Sequence, residues 1–266
     1  MPDAVAEIAA TQFAGRVSSS LITGATAGIG HAFATHLARR GYDLVLVARD
    51  RERLESVAKA LREEYDVDVE VLPADLTVRS ELATVEARVA DPSRPVDLLV
   101  NNAGFGLKDR FLVNDVEAEQ SMLDVLVTAV LRLSHAALGP MVERGHGGII
   151  NVSSVAAFLP RGTYGAAKMW VNRFSEWAAN EYRAQGVTVM ALCPGFTKTE
   201  FHERMGVKRG TGFMWLDVDM LVDKALSDFD RGRVYSIPGV QYRLIAGVTR
   251  VVPSRVLQTF QSMGRR

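Results

Sequence analysis

Short apolar runs alternate with amphipathic stretches of helical period from about residue 18 to residue 236 of this 266-residue chain. The alternation predicts βαβ units, in which crossover helices cover both faces of a parallel sheet. We therefore expect a single doubly wound α/β domain with a mainly parallel seven-stranded sheet and helices on both faces. Strands are predicted at residues 18–23, 43–48, 69–73, 98–101, 148–153, 187–193 and 234–237. Helices are predicted at residues 28–40, 51–65, 79–90, 116–144, 163–185 and 217–228.

The limits of this alternation divide the chain into three parts. Residues 1–17 are predicted to be an N-terminal extension, 18–237 the α/β domain, and 238–266 a basic amphipathic C-terminal tail. We find no internal repeat or low-complexity tract within the domain. The chain therefore reads as one folding unit with two extensions.

Composition argues against several classes of protein. Acidic and basic residues number 31 each, so the formal net charge is zero and no bulk field favours nucleic acid. The only cysteine, Cys193, cannot form an intramolecular disulfide, which fits a cytoplasmic location. No signal peptide is recognised at the N-terminus, and no uninterrupted apolar stretch approaches membrane-spanning length. Apart from the isolated pair His202-Glu203, no histidine has a partner at metal-ligand spacing, so no metal is expected.

A glycine-rich turn follows the first predicted strand directly and opens the first predicted helix. Its sequence is Thr23-Gly24-Ala25-Thr26-Ala27-Gly28-Ile29-Gly30. Glycines permit a tight bend and close approach of the backbone to a ligand, and the new helix offers unpaired N–H groups to a pyrophosphate. A turn of this composition can be a simple loop, but its place in an alternating α/β chain favours nucleotide binding.

The end of the second predicted strand bears on the choice between NADP(H) and NAD(H). An acidic group near this point binds the adenosine ribose in dinucleotide folds, whereas an arginine accommodates a 2′-phosphate. Arg49 follows the strand immediately and favours NADP(H), while Asp50, one residue further, is the alternative that favours NAD(H). Arg51 and Arg53 fit equally well as solvated residues of a helix start.

Tyr164 and Lys168 are four residues apart in a predicted helix, and this spacing places both side chains on one face. A fixed ammonium beside a phenol favours the phenolate and lowers its pKa from about 10, so that the tyrosine can exchange protons with a substrate oxygen. By itself the pair also fits an exposed helix surface. Other motifs of the chain favour the catalytic interpretation.

Six motifs, in this order, make the chain resemble the short-chain dehydrogenase/reductase family over most of its length. They are TGATAGIG at residues 23–30, Asp75-Leu76, Asn101-Asn102-Ala103-Gly104, Asn151-Val152-Ser153-Ser154, Tyr164 with Lys168, and Pro194-Gly195-Phe196-Thr197-Lys198-Thr199. The resemblance implies a Rossmann-type fold that binds NADP(H) or NAD(H). It also implies a substrate lid around residues 196–216.

The resemblance further implies a role for each matching residue. Ser154 would form a hydrogen bond with the substrate oxygen, and Tyr164 would be the general acid or base. Lys168 would lower the pKa of Tyr164 and bind the hydroxyls of the nicotinamide ribose. The residues expected to bind the cofactor are Gly24, Thr26, Gly28, Ile29, Gly30, Arg49, Asp75, Leu76, Asn102, Ala103, Gly104, Tyr164, Lys168, Pro194, Gly195, Thr197 and Thr199.

The chain departs from the family pattern at two places. Leu126 stands where the family usually has an asparagine that holds a water behind the lysine. A leucine side chain forms no hydrogen bond, so a proton path would have to run differently. The second departure is the interval of ten residues between Ser154 and Tyr164, which is shorter than usual and suggests a trimmed loop.

The predicted lid and tail bear on substrate and partners. Apolar lid residues favour a hydrophobic substrate, although packing on the domain would explain them equally well; they are Phe196, Phe201, Met205, Phe213, Met214 and Trp215. The tail from residue 231 onward has seven arginines and no Asp, Glu or Lys. Subunit contact in a homodimer or homotetramer is the favoured explanation, and peripheral membrane contact is the alternative.

The sequence therefore predicts an oxidoreductase that transfers a hydride between NADP(H) and a hydrophobic ketone or secondary alcohol. A steroid and a 3-oxoacyl thioester both fit this description. The alternative is a non-catalytic NADP(H)-binding sensor or scaffold, for which Leu126 is the support and the retention of Ser154 the counter-argument.

Overall fold

The computed structural model describes residues 18–159, 162–199 and 212–249. The strands are β1 (Ser19–Thr23), β2 (Asp43–Ala48), β3 (Val69–Pro73), β4 (Leu98–Asn101), β5 (Gly147–Val152), β6 (Val187–Leu192) and β7 (Tyr235–Ser236). The α-helices are α1 (Gly28–Arg39), α2 (Arg51–Tyr65), α3 (Arg79–Ala90), α4 (Val116–Leu123), α5 (Ala129–Arg144), α6 (Gly162–Tyr182), α7 (Val218–Asp230) and α8 (Val240–Thr249). A π-helical segment, Asp124–Thr128, joins α4 to α5, and 3₁₀ turns occupy Val155–Phe158 and Arg183–Gln185.

The seven strands form one sheet in the order β3-β2-β1-β4-β5-β6-β7, and every pair is parallel. Buried apolar side chains form a cluster on each face of the sheet, beneath separate layers of helices. The predicted doubly wound α/β fold is confirmed. Because the strand order reverses between β1 and β4, their connections leave in opposite directions and open a crevice at the carboxyl edge of the sheet.

The central strands consist of nearly uninterrupted apolar residues because helices cover both of their faces. In the register of the sheet, Leu21 of β1 lies between Val45 of β2 and Leu99 of β4, and all three side chains are buried. The carboxyl ends of β1, β4, β5 and β6 consequently meet at one edge. The polar motifs of the sequence follow these ends.

Apart from shifts of one to three residues at the ends of several elements, the observed structure differs from the predicted one in three places. The last strand is reduced to Tyr235–Ser236, and the predicted helix 116–144 contains the π-helical segment. The third difference is α8, which the sequence analysis assigned to a separate tail. Tyr242 and Ala246 of α8 are buried, so the packed domain extends past residue 237. The extension 1–17 and the tail beyond residue 249 lie outside the described residues.

The continuous helical stretch Val116–Arg144 is long and on average apolar, although Asp124 and Arg132 interrupt its apolar run. By length and composition alone it could cross a bilayer. Half of its most apolar 18-residue window is buried inside the fold, however, as in a helix that packs on a sheet. Among the described residues this is the one helix of such length and composition, and its burial makes it weak support for a membrane span.

Two glycines with nearly the same backbone conformation provide a stability test. Gly41 has φ 79° with open space around it, whereas a Cβ at Gly186, with φ 80°, would lie 1.9 Å from the carbonyl oxygen of Gly145. Gly41→Ala should therefore cost only the left-handed strain of about 1 to 2 kcal/mol. Gly186→Ala should cost clearly more, because it also displaces the chain entering β6. Urea unfolding of both variants checks this, and equal losses would contradict it.

Candidate active site

The glycine-rich turn between β1 and α1 owes its shape to close backbone packing. A Cβ at Gly30 would lie 2.2 Å from the Gly24 carbonyl oxygen and 2.4 Å from the Asn102 amide nitrogen. No side chain caps the start of α1, so its first N–H groups point toward the crevice, with Ala27 at the N-cap position. This arrangement suits a pyrophosphate, which the helix N-terminus attracts.

The hydroxyl of Thr23 joins the turn after β1 to the turn after β4. It accepts hydrogen bonds from the backbone N–H groups of Asn102 and Ala103, both at 3.0 Å. The Asn102 amide in turn donates to the carbonyls of Thr23 at 2.9 Å and Gly24 at 3.2 Å. The motif at residues 101–104 therefore lines the crevice and also holds the two turns that form its wall in place.

An elongated trough of about 540 Å³ runs along the carboxyl edge of the sheet. Every residue that the sequence analysis assigned to catalysis or cofactor binding lines this trough, with the exception of Gly30. Gly30 is instead packed beneath the turn. The glycine cradle, the open helix N-terminus and the length of the trough together fit a dinucleotide.

At one end of the trough, both candidates for adenosine recognition, Arg49 and Asp50, line the wall, but their side chains have different partners. Asp50 is the N-cap residue of α2, and its carboxylate accepts a hydrogen bond from the Arg53 N–H at 3.0 Å. The Arg49 side chain is 76% exposed, and its guanidinium lies 3.9 Å from the Asp75 carboxylate. Partial burial opposes the ionisation of Asp75, but hydrogen bonds from Thr77 and the charge of Arg49 outweigh it and lower the pKa of Asp75. A second cation, Arg53, also lines this end.

Arg53 is a residue that sequence reasoning missed as a cofactor contact. Its guanidinium donates to the Thr26 carbonyl at 3.4 Å, which holds it over the glycine turn. In the sequence it is one of several charged residues at a helix start, and nothing there distinguishes it from Arg51. The trough also includes apolar residues that no motif marked, among them Phe105 and Val125.

At the other end of the trough, the structure brings together the three predicted catalytic residues. Ser154 precedes the 3₁₀ turn and caps it by accepting the Ala156 N–H at 3.1 Å. Its hydroxyl also forms a hydrogen bond with the phenol of Tyr164. Tyr164 and Lys168 share a face of α6, and the ammonium lies 5.9 Å from the centre of the phenol ring. The shorter interval between Ser154 and Tyr164 therefore does not keep the two hydroxyls apart.

The protonation of Tyr164 differs from the expectation. Lys168 was expected to lower the pKa of Tyr164, but burial raises this pKa to about 12, opposed only in part by the hydrogen bond with Ser154. The phenol therefore holds its proton at neutral pH in this structure. The physical reason is desolvation, which disfavours the phenolate more strongly than its neighbours favour it.

Lys168 is itself buried, and burial lowers its pKa to about 8, against a smaller opposing effect of the nearby Cys193. Its ammonium donates to the Val152 carbonyl at 2.7 Å. Burial also raises the pKa of Cys193 to about 12, so this thiol stays protonated. Cys193 is thus a buried, protonated thiol.

Leu126 lies in the π-helical segment and is 0% exposed. A Cβ on Gly104 would lie 2.9 Å from the Leu126 side chain and 3.9 Å from the Lys168 nitrogen, so the leucine closes the trough beside the lysine with an apolar group. The neighbouring Asp124 accepts hydrogen bonds from Gln120 and Thr128. These contacts engage Asp124 and Thr128 within their own helical stretch, so neither side chain supplies the hydrogen bond that Leu126 cannot form.

The segment after β6 borders the catalytic end of the trough. Thr197 and Thr199 are buried and line it, and Thr199 packs on Gly28 at the phosphate turn. Of the predicted lid aromatics, Phe196 and Trp215 contact each other with ring centres 5.4 Å apart. Phe213 is 81% exposed. Phe201 and Met205 lie outside the described residues.

Metal-ligating side chains do not converge in the part of the chain that the structure describes. No group of three or more His, Cys, Asp or Glu residues there has the geometry to hold an ion. The trough itself presents the hydroxyls of Ser154 and Tyr164, the ammonium of Lys168 and a glycine cradle that fits a cofactor.

Comparison with known proteins identifies the family. The family model for short chain dehydrogenases matches residues 19–209. The chain belongs to the short-chain dehydrogenase/reductase family. As a member it is an oxidoreductase that acts on alcohol and ketone groups.

Three similar proteins illustrate the relationship. A short-chain dehydrogenase from Sphingobium yanoikuyae in complex with NADPH is 38% identical, with a TM-score of 0.82 over 88% of this chain and 94% of that one. A bulky-bulky ketone specific alcohol dehydrogenase from Comamonas testosteroni is 33% identical, with a TM-score of 0.77 over 92% of each chain. Hydroxysteroid dehydrogenase-like protein 1 of Gallus gallus is 30% identical over 85% of this chain and 69% of its own length.

The lowered pKa of Lys168 predicts a pH-dependent stability. Between about pH 8 and about pH 10 the folded lysine is losing its proton while the unfolded lysine, with a pKa of 10.5, still holds it. The unfolded chain then binds more protons, so this group makes the unfolding free energy rise with pH. Relative to Lys168→Met, the unmodified protein should gain about 2 kcal/mol over this range.

Urea unfolding of both proteins at several pH values measures the effect. Comparing the two isolates Lys168, because Tyr164 and Cys193 titrate in both. A difference in unfolding free energy that stays constant with pH would show that Lys168 does not carry a buried charge.

Proposed function

We propose that this protein is an NADP(H)-dependent reductase of hydrophobic ketones, or a dehydrogenase of the corresponding secondary alcohols. The observation that carries the proposal is the convergence of Ser154, Tyr164 and Lys168 at one end of a trough whose other end holds Arg49 and Arg53. One trough lined at both ends in this way is consistent with a single dinucleotide that reaches from the arginines to the catalytic residues. The complex of the Sphingobium yanoikuyae relative with NADPH supports the choice of cofactor.

Ser154, Tyr164 and Lys168 have separate roles in the proposed reaction. When bound, a nicotinamide supplies or accepts the hydride. Ser154 donates a hydrogen bond that polarises the substrate carbonyl, and Tyr164, protonated at neutral pH, delivers the proton to the developing alkoxide. The Lys168 ammonium then stabilises the phenolate that remains. Leu126 excludes water from this side, so we expect the proton of Tyr164 to be replaced from the substrate side of the trough.

The substrate is proposed to be apolar and bulky, such as a steroid, a 3-oxoacyl thioester or a similar ketone. Phe105 and Leu126 line the trough and pack in the same apolar cluster as Tyr164, and Phe196 and Trp215 contact each other in the segments beside the turn after β6. The relatives from Comamonas testosteroni and Gallus gallus, named for bulky ketones and for hydroxysteroid dehydrogenases, are consistent with such a substrate. A cytoplasmic location, a homo-oligomeric state and membrane contact by the tail stay predictions.

Removal of the Tyr164 hydroxyl tests the enzymatic function. Tyr164→Phe should lower ketone-dependent NADPH oxidation by about 10² to 10⁴, because it removes the proton donor. The dissociation constant of NADPH should stay within about twofold, since cofactor affinity rests on many other contacts. Tyr182→Phe, on the same helix but against Trp177, is the matched control and should keep full activity. If the unmodified protein binds NADPH but turns over no apolar ketone or alcohol, the sensor alternative replaces the enzymatic proposal.

Removal of the two arginines at the adenosine end tests cofactor preference. Arg49→Ala and Arg53→Ala should each weaken NADPH binding by about tenfold, because each removes a cation that can pair with the 2′-phosphate. NADH, which lacks this phosphate, should be much less affected. Arg51→Ala is the control, because the exposed Arg51 faces Glu55 at 4.0 Å and does not line the trough. Fluorescence titration measures all four proteins, and equal losses for NADPH and NADH would refute the assignment.

A further inference from the structure

Helix α8 contributes one of the largest fully buried side chains of the fold, Tyr242, of which only 1% is exposed. Its ring packs against the turn that follows β6. A Cβ at Gly195 would lie 2.0 Å from two ring carbons, so only glycine leaves room for this ring. Gly195 and the preceding Pro194 both line the trough, whereas Tyr242 lies behind them.

The Tyr242 hydroxyl joins two chain segments that are distant in sequence. It accepts a hydrogen bond from the Phe196 N–H at 2.9 Å and donates one to the Met214 carbonyl. Burial raises the pKa of Tyr242, partly offset by the bond from Phe196, so the hydroxyl keeps the proton that it donates. The phenol is thus a donor and an acceptor at once between these two backbones.

Other bonds hold the same two segments together. The Leu216 N–H donates to the Phe196 carbonyl at 2.8 Å, and the Lys198 N–H donates to the Leu216 carbonyl at 3.0 Å. Gln241, which precedes the tyrosine on α8, donates to the Phe213 carbonyl at 2.9 Å. Helix α8 therefore holds both segments from behind, and Tyr242 lies at their junction.

The junction at Tyr242 lies directly behind residues that line the catalytic end of the trough. Thr197 donates its hydroxyl proton to the Gly195 carbonyl at 3.0 Å and faces the trough from the same turn. A shift of the Gly195–Thr197 backbone would therefore displace the wall that faces the nicotinamide half of a dinucleotide. The adenosine half would be held at the opposite end, by residues after β2 and at the start of α2 such as Arg49 and Arg53.

We propose that Tyr242 is a positioning residue for the nicotinamide half of the cofactor site, acting through the backbone of Gly195 and Phe196. The inference rests on the proposed function, because it takes the ligand to be NADPH. Helix α8 thereby contributes to the active site through Tyr242. We also expect the two halves of NADPH to respond differently to a change at position 242.

Tyr242→Phe removes both hydrogen bonds and retains the ring that packs on Gly195. Calorimetric titration with NADPH should show an affinity loss of about five- to tenfold. The affinity for 2′,5′-ADP, which contains only the adenosine half with its 2′-phosphate, should stay within about twofold. Hydrogen exchange at the Phe196 amide should accelerate, because that amide loses its acceptor.

Tyr235→Phe is the matched control. The Tyr235 hydroxyl is also partly buried and contacts the Asn172 carbonyl at 3.2 Å and Glu176 at 3.3 Å, away from the trough. Its removal should leave the affinities for both ligands unchanged. Should Tyr242→Phe lose its fold, Gln241→Ala takes its place, because it removes the bond to the Phe213 carbonyl. It should weaken NADPH binding by about fivefold and leave the affinity for 2′,5′-ADP unchanged.

The possible outcomes separate this inference from the proposed function. If the unmodified protein binds both ligands and Tyr242→Phe binds NADPH equally well, the inference fails and the function stands. Equal weakening of NADPH and 2′,5′-ADP also overturns the inference, because it indicates a general loss of structure. If the unmodified protein binds neither ligand, the proposed function fails. Selective weakening of NADPH supports both.

Discussion

The site depends on one junction, where the hydroxyl of Thr23 holds the turn after β4 against the turn after β1. Two neighbouring parallel strands whose connections leave in opposite directions open a crevice, and buried N–H groups at its edge need acceptors. Thr23 supplies one acceptor for two such groups, and the Asn102 amide supplies donors for the facing carbonyls. Gly30 fits beneath this network because it has no side chain. The phosphate turn and the wall of the trough are therefore held together by the same set of hydrogen bonds.

The catalytic end illustrates how burial sets the chemistry of a tyrosine and a lysine. Desolvation acts on the two groups in opposite directions, raising the pKa of Tyr164 and lowering that of Lys168. A tyrosine that keeps its proton suits the delivery of that proton to a ketone oxygen. Leu126 contributes to this environment by placing an apolar side chain beside the lysine. Leucine in place of the family's usual asparagine at position 126 therefore removes a hydrogen-bonding group and also makes the surroundings of Lys168 more apolar.

Much of the fold was predictable because its signals are local and periodic. Strand β2 and strand β3 agree with the prediction residue for residue, since apolar runs bounded by turns leave little choice of length. The π-helical segment was not predictable, because its single extra residue per turn leaves no mark in the apolar pattern. Helix α8 was misassigned for a different reason: Arg243 and Leu244 are exposed while Tyr242 is buried, so its composition resembles that of a surface segment.

The sequence by itself determined the order of the βαβ units, the phosphate turn and the pairing of Tyr164 with Lys168. Each of these is encoded within a few consecutive residues, where spacing alone specifies which groups share a face or a turn. Only the tertiary structure decided that Arg49 and Arg53 share one end of the trough while Asp50 caps a helix. It also decided the direction of the Tyr164 pKa and the contact of Tyr242 with Gly195. These properties depend on burial and on contacts between distant segments, and neither can be read from the neighbours of a residue along the chain.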